Sequence, residues 1–501
     1  MDENRLKAKR MGIDAQRKCV AYMSSSCHVC RAEGFNALSR VRLTVGERHL
    51  IADLNICQES IIPEGHIGLS EKAWQLLDCQ PGQAVSVAHP LPLASMAKVR
   101  RKFFGHQLLQ ADYEAILFDV VAERYSDVQL TAFLAAASKD MHEEEITALT
   151  SAMVAVGEQL SWHRGPVLDK HCVGGLPGNR TTPIVVAVVA ANGFCMPKTS
   201  SRAITSPAGT ADTMETMTQV DLSLNQMRSV VAREGACLVW GGAVNLSPAD
   251  DILIRVERVL DIDSDAQLIA SVLSKKKAAG AGAVLIDIPV GPTAKVRTDV
   301  AGERLASTLK AVGERIGLRV HARITDGRQP IGRGIGPALE ARDVLAVLQN
   351  RSDAPGDLRL RALQLAGDLL ELGGVPVGEG FRRAEQTLSS GEALRKFLAI
   401  CDAQGGFREP TKARFKHPVT AARNGVVRDV DNRVLARLAK LAGAPATQSA
   451  GIELHVRLGD AVIEGEPLFT LHADTRGELT YALAYLDMQQ EIFVISEEEA
   501  S

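Results

Sequence analysis

The sequence has no uninterrupted apolar segment long enough to span a bilayer, and its start, Met1-Asp2-Glu3-Asn4-Arg5-Leu6-Lys7, lacks the apolar core of a signal peptide. These absences argue against a membrane partner and make the cytoplasm the expected compartment. Charge of one sign is also missing. A formal net charge of -3 over 501 residues gives no argument for a nucleic acid polymer as partner. The nine cysteines are scattered, and their odd number argues against a closed disulfide framework. The pair Cys27-His28-Val29-Cys30 has metal-ligand spacing, but no second Cys-x-x-Cys exists. A structural zinc site wants four ligands; His49 or Cys19 could contribute, but the expectation is that no metal is bound. There is no long internal repeat and no low-complexity tract.

What is present is the composition of an ordinary soluble protein, in a chain long enough for several domains. Four parts are expected. Residues 1–95 form a β-rich extension, with Val41 to Val45 alternating and Gln83 to Ala88 following a Pro-Gly turn. Residues 96–164 form the main part of a helical domain. Asp112 and Ser126 are candidate N-caps there, and His142-Glu143-Glu144-Glu145 opens a helix with acids at its positive end. The run Arg100-Arg101-Lys102 reads as a solvated helix start. Residues 165–400 alternate short apolar strands with helices, as in a mainly parallel α/β domain, with some helices contributing to the helical domain. Strands are predicted at Ile184 to Val189, Ala236 to Trp240 and Ala283 to Ile288, and helices at Ala249 to Leu260 and Ala266 to Lys277. Residues 410–495 return to alternation and glycine turns, in a C-terminal α+β domain.

Two clusters carry chemistry. Asp169-Lys170-His171-Cys172-Val173-Gly174-Gly175 runs on through Leu176-Pro177-Gly178-Asn179-Arg180-Thr181-Thr182 and sets a Lys, a His and two hydroxyls around a glycine turn. Ser200-Ser201-Arg202-Ala203-Ile204-Thr205-Ser206-Pro207-Ala208-Gly209-Thr210 follows beyond a charge-free apolar segment. Glycines let a backbone approach an anion, and N–H groups with hydroxyls can hold one. A phosphate site at the ends of core elements is the expectation.

These clusters resemble those of the thymidine and pyrimidine-nucleoside phosphorylase family, whose members carry a Lys-His-Ser-x-Gly-Gly turn and a Ser-x-Arg…Gly-Thr-x-Asp-x-x-Glu element. Here they read Lys170 to Gly175, and Ser200 to Arg202 with Gly209 to Glu215. The likeness continues through Asp287-Ile288-Pro289, Gly327 to Gly332 and Gly459 to Phe469. The N-terminal extension, Leu176-Pro177-Gly178-Asn179, Ser201 to Ser206 and Trp240 to Asp251 resemble a longer subfamily, the bacterial type 2 thymidine phosphorylases, which look like archaeal AMP phosphorylases.

The resemblance implies an α/β fold with a helical domain, and a pentosyltransferase that turns thymidine and phosphate into thymine and 2-deoxy-α-D-ribose 1-phosphate. No cofactor is implied; inorganic phosphate is a co-substrate. A homodimer or higher homo-oligomer is implied as well. AMP phosphorolysis, releasing adenine, is the alternative, and it would need a second anion site at Arg202 or Lys295. A phosphoribosyltransferase would need an acidic pair for magnesium pyrophosphate, which is not evident. A non-catalytic nucleotide-binding protein is the reading from another class.

Residue by residue, the resemblance gives phosphate the Lys170 charge and the hydroxyls of Thr182, Ser200 and Thr210. It adds Gly175, Ser201, Arg202, Ala203, Ile204, Thr205, Ser206 and Lys295 as substrate contacts. Ser271 and Lys275, four apart and so on one helix face, match the pair that holds the pyrimidine. His171 is expected neutral beside Lys170 and able to hydrogen-bond base or phosphate. Asp263 matches a proton donor of the longer subfamily. A carboxyl group donates only if its pKa is raised, and a helix N-cap is the ordinary alternative for the acids Asp261, Asp263 and Asp265. The chain departs from the pattern twice. Cys172 stands where a Ser is usual, and a thiol is the weaker donor. The Arg that grips the base falls, without gaps, on Val256, with Arg255 and Arg258 to either side.

Overall fold

The computed structural model describes residues 4–16, 18–139, 141–203, 206–243, 246–260, 264–489 and 492–496. The chain divides into two compact units, residues 1–101 with 118–130, and residues 102–117 with 131–501.

In the first unit six strands close into a barrel: β1 (Arg5–Arg10), β2 (Val20–Ser24), β3 (Arg40–Val45), β4 (Arg48–Cys57), β5 (His66–Leu69) and β6 (Ala84–Ala88). Their order is β1-β5-β2-β4-β3-β6, and β6 pairs back on β1, so no strand edge is left open. The alternation read in the sequence puts Val41, Leu43 and Val45 inside. Helices α1 (His28–Glu33) and α2 (Glu71–Leu77) complete this core. Cys27 and Cys30 are buried in it, with Cys30 Sγ 3.9 Å from Met23 Sδ. Among the described residues no group of three or more His, Cys, Asp or Glu gathers as for a metal.

Four helices follow: α3 (Ser95–Phe103), α4 (Gln110–Val121), α5 (Asp127–Ala137) and α6 (Glu143–Ala155). Ser126 is the expected cap: its Oγ accepts from Gln129 N at 3.3 Å while Gln129 Oε1 accepts from Ser126 N at 2.9 Å. Asp112 is not an N-cap. It lies inside α4 and reaches back to accept from Leu109 N at 3.2 Å. The Arg100-Arg101-Lys102 run is not wholly solvated either. Lys102 is buried, with its Nζ 2.6 Å from Glu145 Oε2. Glu145 also accepts from Leu108 N at 2.9 Å and from the Tyr113 hydroxyl at 3.0 Å.

The second unit holds the α/β part. Strands β7 (Leu168–Cys172), β8 (Met196–Ser200), β9 (Ala236–Trp240), β10 (Ala283–Val290) and β11 (Arg319–Asp326) pair in parallel, as β11-β10-β7 and β8-β9, with a parallel bridge from Val167 to Cys195. Between them run α7 (Thr182–Ala191), α8 (Thr210–Glu215), α9 (Leu224–Glu234), α10 (Pro248–Leu260), α11 (Asp265–Ala278) and α12 (Asp299–Arg315). After the short β12 (Gly334–Ile335) come α13 (Pro337–Leu348), α14 (Gly356–Gly373), α15 (Gly380–Ser389) and α16 (Glu392–Ala403).

The predicted strand Ile184 to Val189 is instead the middle of helix α7. Every residue from Thr182 to Ala190 is buried, because β8 and β9 cover one side of α7 and α14, α15 and α16 the other. A helix apolar all round shows no 3.6-residue period, so its β-branched run reads as a strand.

The remaining segment is antiparallel. Strands β13 (Phe415–Thr420), β14 (Gly425–Val430), β15 (Gly451–Leu454), β16 (Ala461–Val462), β17 (Pro467–Ala473) and β18 (Phe493–Ser496) form two small sheets, packed with α17 (Asn432–Leu441) and α18 (Arg476–Asp487). No helix among the described residues is long and apolar enough to cross a membrane.

Candidate active site

The site is built at the C-terminal ends of β7 and β8, where parallel strands release their loops. From β7 the chain enters a turn with Gly174 at φ 88° and Gly175 at φ 80°. A Cβ on Gly175 would stand 2.3 Å from the backbone nitrogen of Lys295, so the turn lies directly against the loop after β10. At Gly178 a Cβ would meet Ile331 O at 2.3 Å. Only glycine lets the backbone close up at either point. Gly175 and Lys295, distant in sequence and both expected as substrate contacts, are thus brought together.

Lys170 is buried beneath this turn. Its Nζ donates to Thr181 Oγ1 at 2.8 Å and lies 3.5 Å from Thr182 Oγ1, both at the start of α7. The carboxylate oxygen Asp287 Oδ2 is 3.9 Å away. Asp287 is completely buried, and it accepts from Asn179 Nδ2 at 3.1 Å and from Thr325 Oγ1 at 2.7 Å. A lysine charge, two hydroxyls and the positive end of a ten-residue helix therefore converge. Cys172 stands beside them, its Sγ 3.6 Å from Asn179 Nδ2. Burial, and then Asp287, pushes its thiol up to about 12 against the pull of Lys170, so it stays neutral.

His171 is held neutral as expected. Burial is the main cause, and Lys276, Lys198, Lys275 and Lys170 all push its pKa the same way, well below the ordinary value. A neutral imidazole keeps one donor and one acceptor nitrogen.

The second cluster is organised by carboxylates. Ser200 ends β8, and its Oγ donates to Val239 O at 3.2 Å. Asp212 Oδ2 accepts from Ala203 N at 2.6 Å and Gly209 N at 2.8 Å, folding the loop over the start of α8. Arg202 grips Glu215 with two bonds of 2.5 and 2.7 Å and stacks over Trp240 at 5.1 Å. Those bonds raise the Arg202 pKa further. Ser206 Oγ donates to Ala208 O at 3.1 Å, and Ser201 lies exposed beside them. Thr210 Oγ1 accepts from Arg180 Nη1 at 2.8 Å, and Arg180 in turn holds Glu340 at 2.7 Å. Ile204, Thr205 and Asp263 lie outside the described residues.

Ser271 and Lys275 lie on α11 as predicted, and Lys275 forms an ion pair with Asp250 at the start of α10. Burial would lower the Lys275 pKa, but Asp250 holds it above the usual lysine value.

Several residues near the site escaped sequence reasoning. Thr181 is closer to Lys170 than Thr182 is, and Asn179, Asp287, Arg180, Glu340 and Asp250 hold the groups that were named. Asn179, Arg180, Thr181 and Asp250 stood inside quoted motifs without a role, Asp287 was visible as a carboxylate inside an apolar strand, and Glu340 gave no signal.

Comparison with known proteins matches three family models: residues 164–394 to the glycosyl transferase family a/b domain, 97–157 to the glycosyl transferase family helical bundle domain, and 426–493 to the pyrimidine nucleoside phosphorylase C-terminal domain. A protein of Hahella chejuensis (strain KCTC 2396) named "Putative thymidine phosphorylase" is 57% identical over 96% of each chain. One of the same name from Polaromonas sp. (strain JS666 / ATCC BAA-500) is 56% identical over 99% of this chain and 97% of its own. In fold, the chain is similar to the crystal structure of anthranilate phosphoribosyltransferase from Thermus thermophilus, with a TM-score of 0.52 at 20% identity over 61% of this chain and 98% of that one.

Proposed function

The chain belongs to the family of thymidine and pyrimidine-nucleoside phosphorylases, within the glycosyltransferases, and we propose that it cleaves thymidine with inorganic phosphate. The products are thymine and 2-deoxy-α-D-ribose 1-phosphate. The observation that carries the phosphate half of this reading is Lys170, buried against Thr181 and Thr182 at the start of α7 beside the Gly174-Gly175 turn. The names of relatives over half identical along nearly the whole chain support thymidine as substrate.

In this reading a phosphate oxygen attacks C1′ of the sugar as the bond to the base nitrogen breaks, and the electron pair of that bond leaves with the base. Lys170, the α7 start and the hydroxyls of Ser200 and Thr210 hold the phosphate. Its negative charge beside the sugar stabilises the oxocarbenium-like state. Neutral His171 hydrogen-bonds the departing base, Asp263 supplies the proton, and Ser271 and Lys275 orient the ring. Gly175, Ser201 to Ser206 and Lys295 border the substrate. The bidentate hold of Glu215 on Arg202 speaks against that guanidinium as a seat for a 5′-phosphate, which leaves Lys295 as the candidate a nucleotide would need. The enzyme works in the cytoplasm as a homodimer or higher homo-oligomer.

The test is base release from thymidine, uridine, AMP and CMP, each with and without phosphate. Phosphate-dependent release of thymine is expected. Release from the nucleotides alone would overturn the reading.

A further inference from the structure

One side chain of the first phosphate cluster reaches across to the second, and the proposed reaction does not use it. Arg180 follows the glycine turn and immediately precedes Thr181 and Thr182 at the start of α7. Its guanidinium is spread over three partners. Nε donates to Glu340 Oε2 at 2.7 Å, Nη1 to Thr210 Oγ1 at 2.8 Å and Nη2 to Ala208 O at 2.9 Å. Ala208 and Thr210 flank Gly209, where α8 begins. One planar fork thus ties the start of α7 to the start of α8.

Glu340 is the anchor of this fork. It lies in the first turn of α13, and its side chain is only 1% exposed. Its Oε1 accepts from Gly336 N at 3.2 Å, and the Thr213 hydroxyl lies 3.3 Å from Oε2. Stability alone does not call for such a pair, since apolar residues of similar volume commonly do as well in place of buried ion pairs.

The direction of the hydrogen bonds is what matters. A guanidinium only donates. Thr210 Oγ1 therefore accepts from Arg180 and keeps its own hydrogen for another acceptor. The first cluster repeats the arrangement: the Lys170 ammonium, which also only donates, gives to Thr181 Oγ1 at 2.8 Å. An unheld threonine hydroxyl rotates and can turn a lone pair toward an anion. One that already accepts from a fixed cation turns its hydrogen outward instead. Donors set in advance in this way need no reorganisation when the anion arrives.

We propose that Arg180, anchored by Glu340, is a positioning residue that turns the Thr210 hydroxyl hydrogen toward the bound phosphate. The inference rests on the reading of Thr210 as a phosphate contact. Arg180 acts through Thr210 and does not touch the anion; Glu340 acts through Arg180, and the bond to Ala208 keeps the fork in place.

The test is a double-mutant cycle with Arg180→Met, Thr210→Val and the double variant, read by the KM for phosphate, the KM for thymidine and calorimetric binding of inorganic phosphate. Measurements are made at about pH 8.5, where the Glu340 carboxyl, pushed up to about 7 by burial against the pull of Arg180, is ionised. Arg180→Met should raise the KM and Kd for phosphate about ten-fold, the scale of one charge-assisted hydrogen bond, and leave the KM for thymidine within about two-fold. In the Thr210→Val background the same substitution should cost less than about two-fold, because the hydroxyl it orients is gone. Factors that multiply in the double variant would place Arg180 on the anion itself and overturn the proposal. Equal rises in both KM values, with no coupling to Thr210, would show a structural role and overturn it as well. If Arg180→Met does not fold, Glu340→Gln, which keeps the shape of the anchor, carries the same cycle. Its effect on phosphate should vanish on Thr210→Val, and persistence there overturns the proposal. The expected cycle in phosphate binding, with no base release from any substrate, would sink the phosphorolysis reading and leave the positioning role standing. Base release with a multiplicative cycle would sink the positioning role alone.

Discussion

Cys172 occupies a place where the family usually carries a hydroxyl, within reach of Asn179 and one residue from His171. Its thiol is held neutral by burial, so it is a weak donor and not an anion that would repel phosphate. Cys172→Ser should lower the KM for phosphate about three-fold, matching a hydrogen bond strengthened by somewhat under 1 kcal/mol. An unchanged or raised KM would show that the side chain does not face the anion. Single residues were unevenly legible. Lys170, His171 and Gly175 stood out in a short motif, and the structure sets Gly175 directly against Lys295. The motif could not tell Thr181 from Thr182, because which hydroxyl meets the ammonium depends on where α7 starts. Nor could it show Arg180, Thr210 and Glu340 as a group, since residues far apart in the chain must pack before they meet.

Among the elements, α7 and α6 show what sequence periodicity can and cannot give. Helix α6 was legible from its three leading glutamates. The job of the third was not, because Lys102, Leu108 and Tyr113 reach Glu145 from well upstream. Glu145→Ala leaves a buried ammonium, an amide and a phenol without their acceptor. The variant should lose about 3–5 kcal/mol in denaturant unfolding, the usual cost of removing one partner of a buried ion pair. A loss below about 1 kcal/mol would mean that water replaces the carboxylate there. Helix α7 was misread for the opposite reason: it is enclosed on all sides, so neither alternation nor amphipathic period marks it. Its identity matters to function, since only a helix brings backbone N–H groups and a positive end to Lys170.

At the scale of the molecule, the order of parts was legible because each has its own signature: alternation in the barrel, helical spacing after it, strand–helix alternation in the α/β part and glycine turns in the last segment. The two compact units do not follow that order, because residues 118–130 group with the barrel and residues 102–117 with the remainder. Phosphorolysis turns on one point of this architecture, the Lys170 ammonium in the middle of β7. Thymine release from thymidine, followed against phosphate concentration for wild type and Lys170→Ala, tests it most directly. Wild type should release thymine only with phosphate and saturate, and Lys170→Ala should fall by about two orders of magnitude or more in kcat/KM for phosphate while keeping its fold. Thymine release that ignores phosphate, or a folded Lys170→Ala variant with wild-type kinetics, would contradict the account.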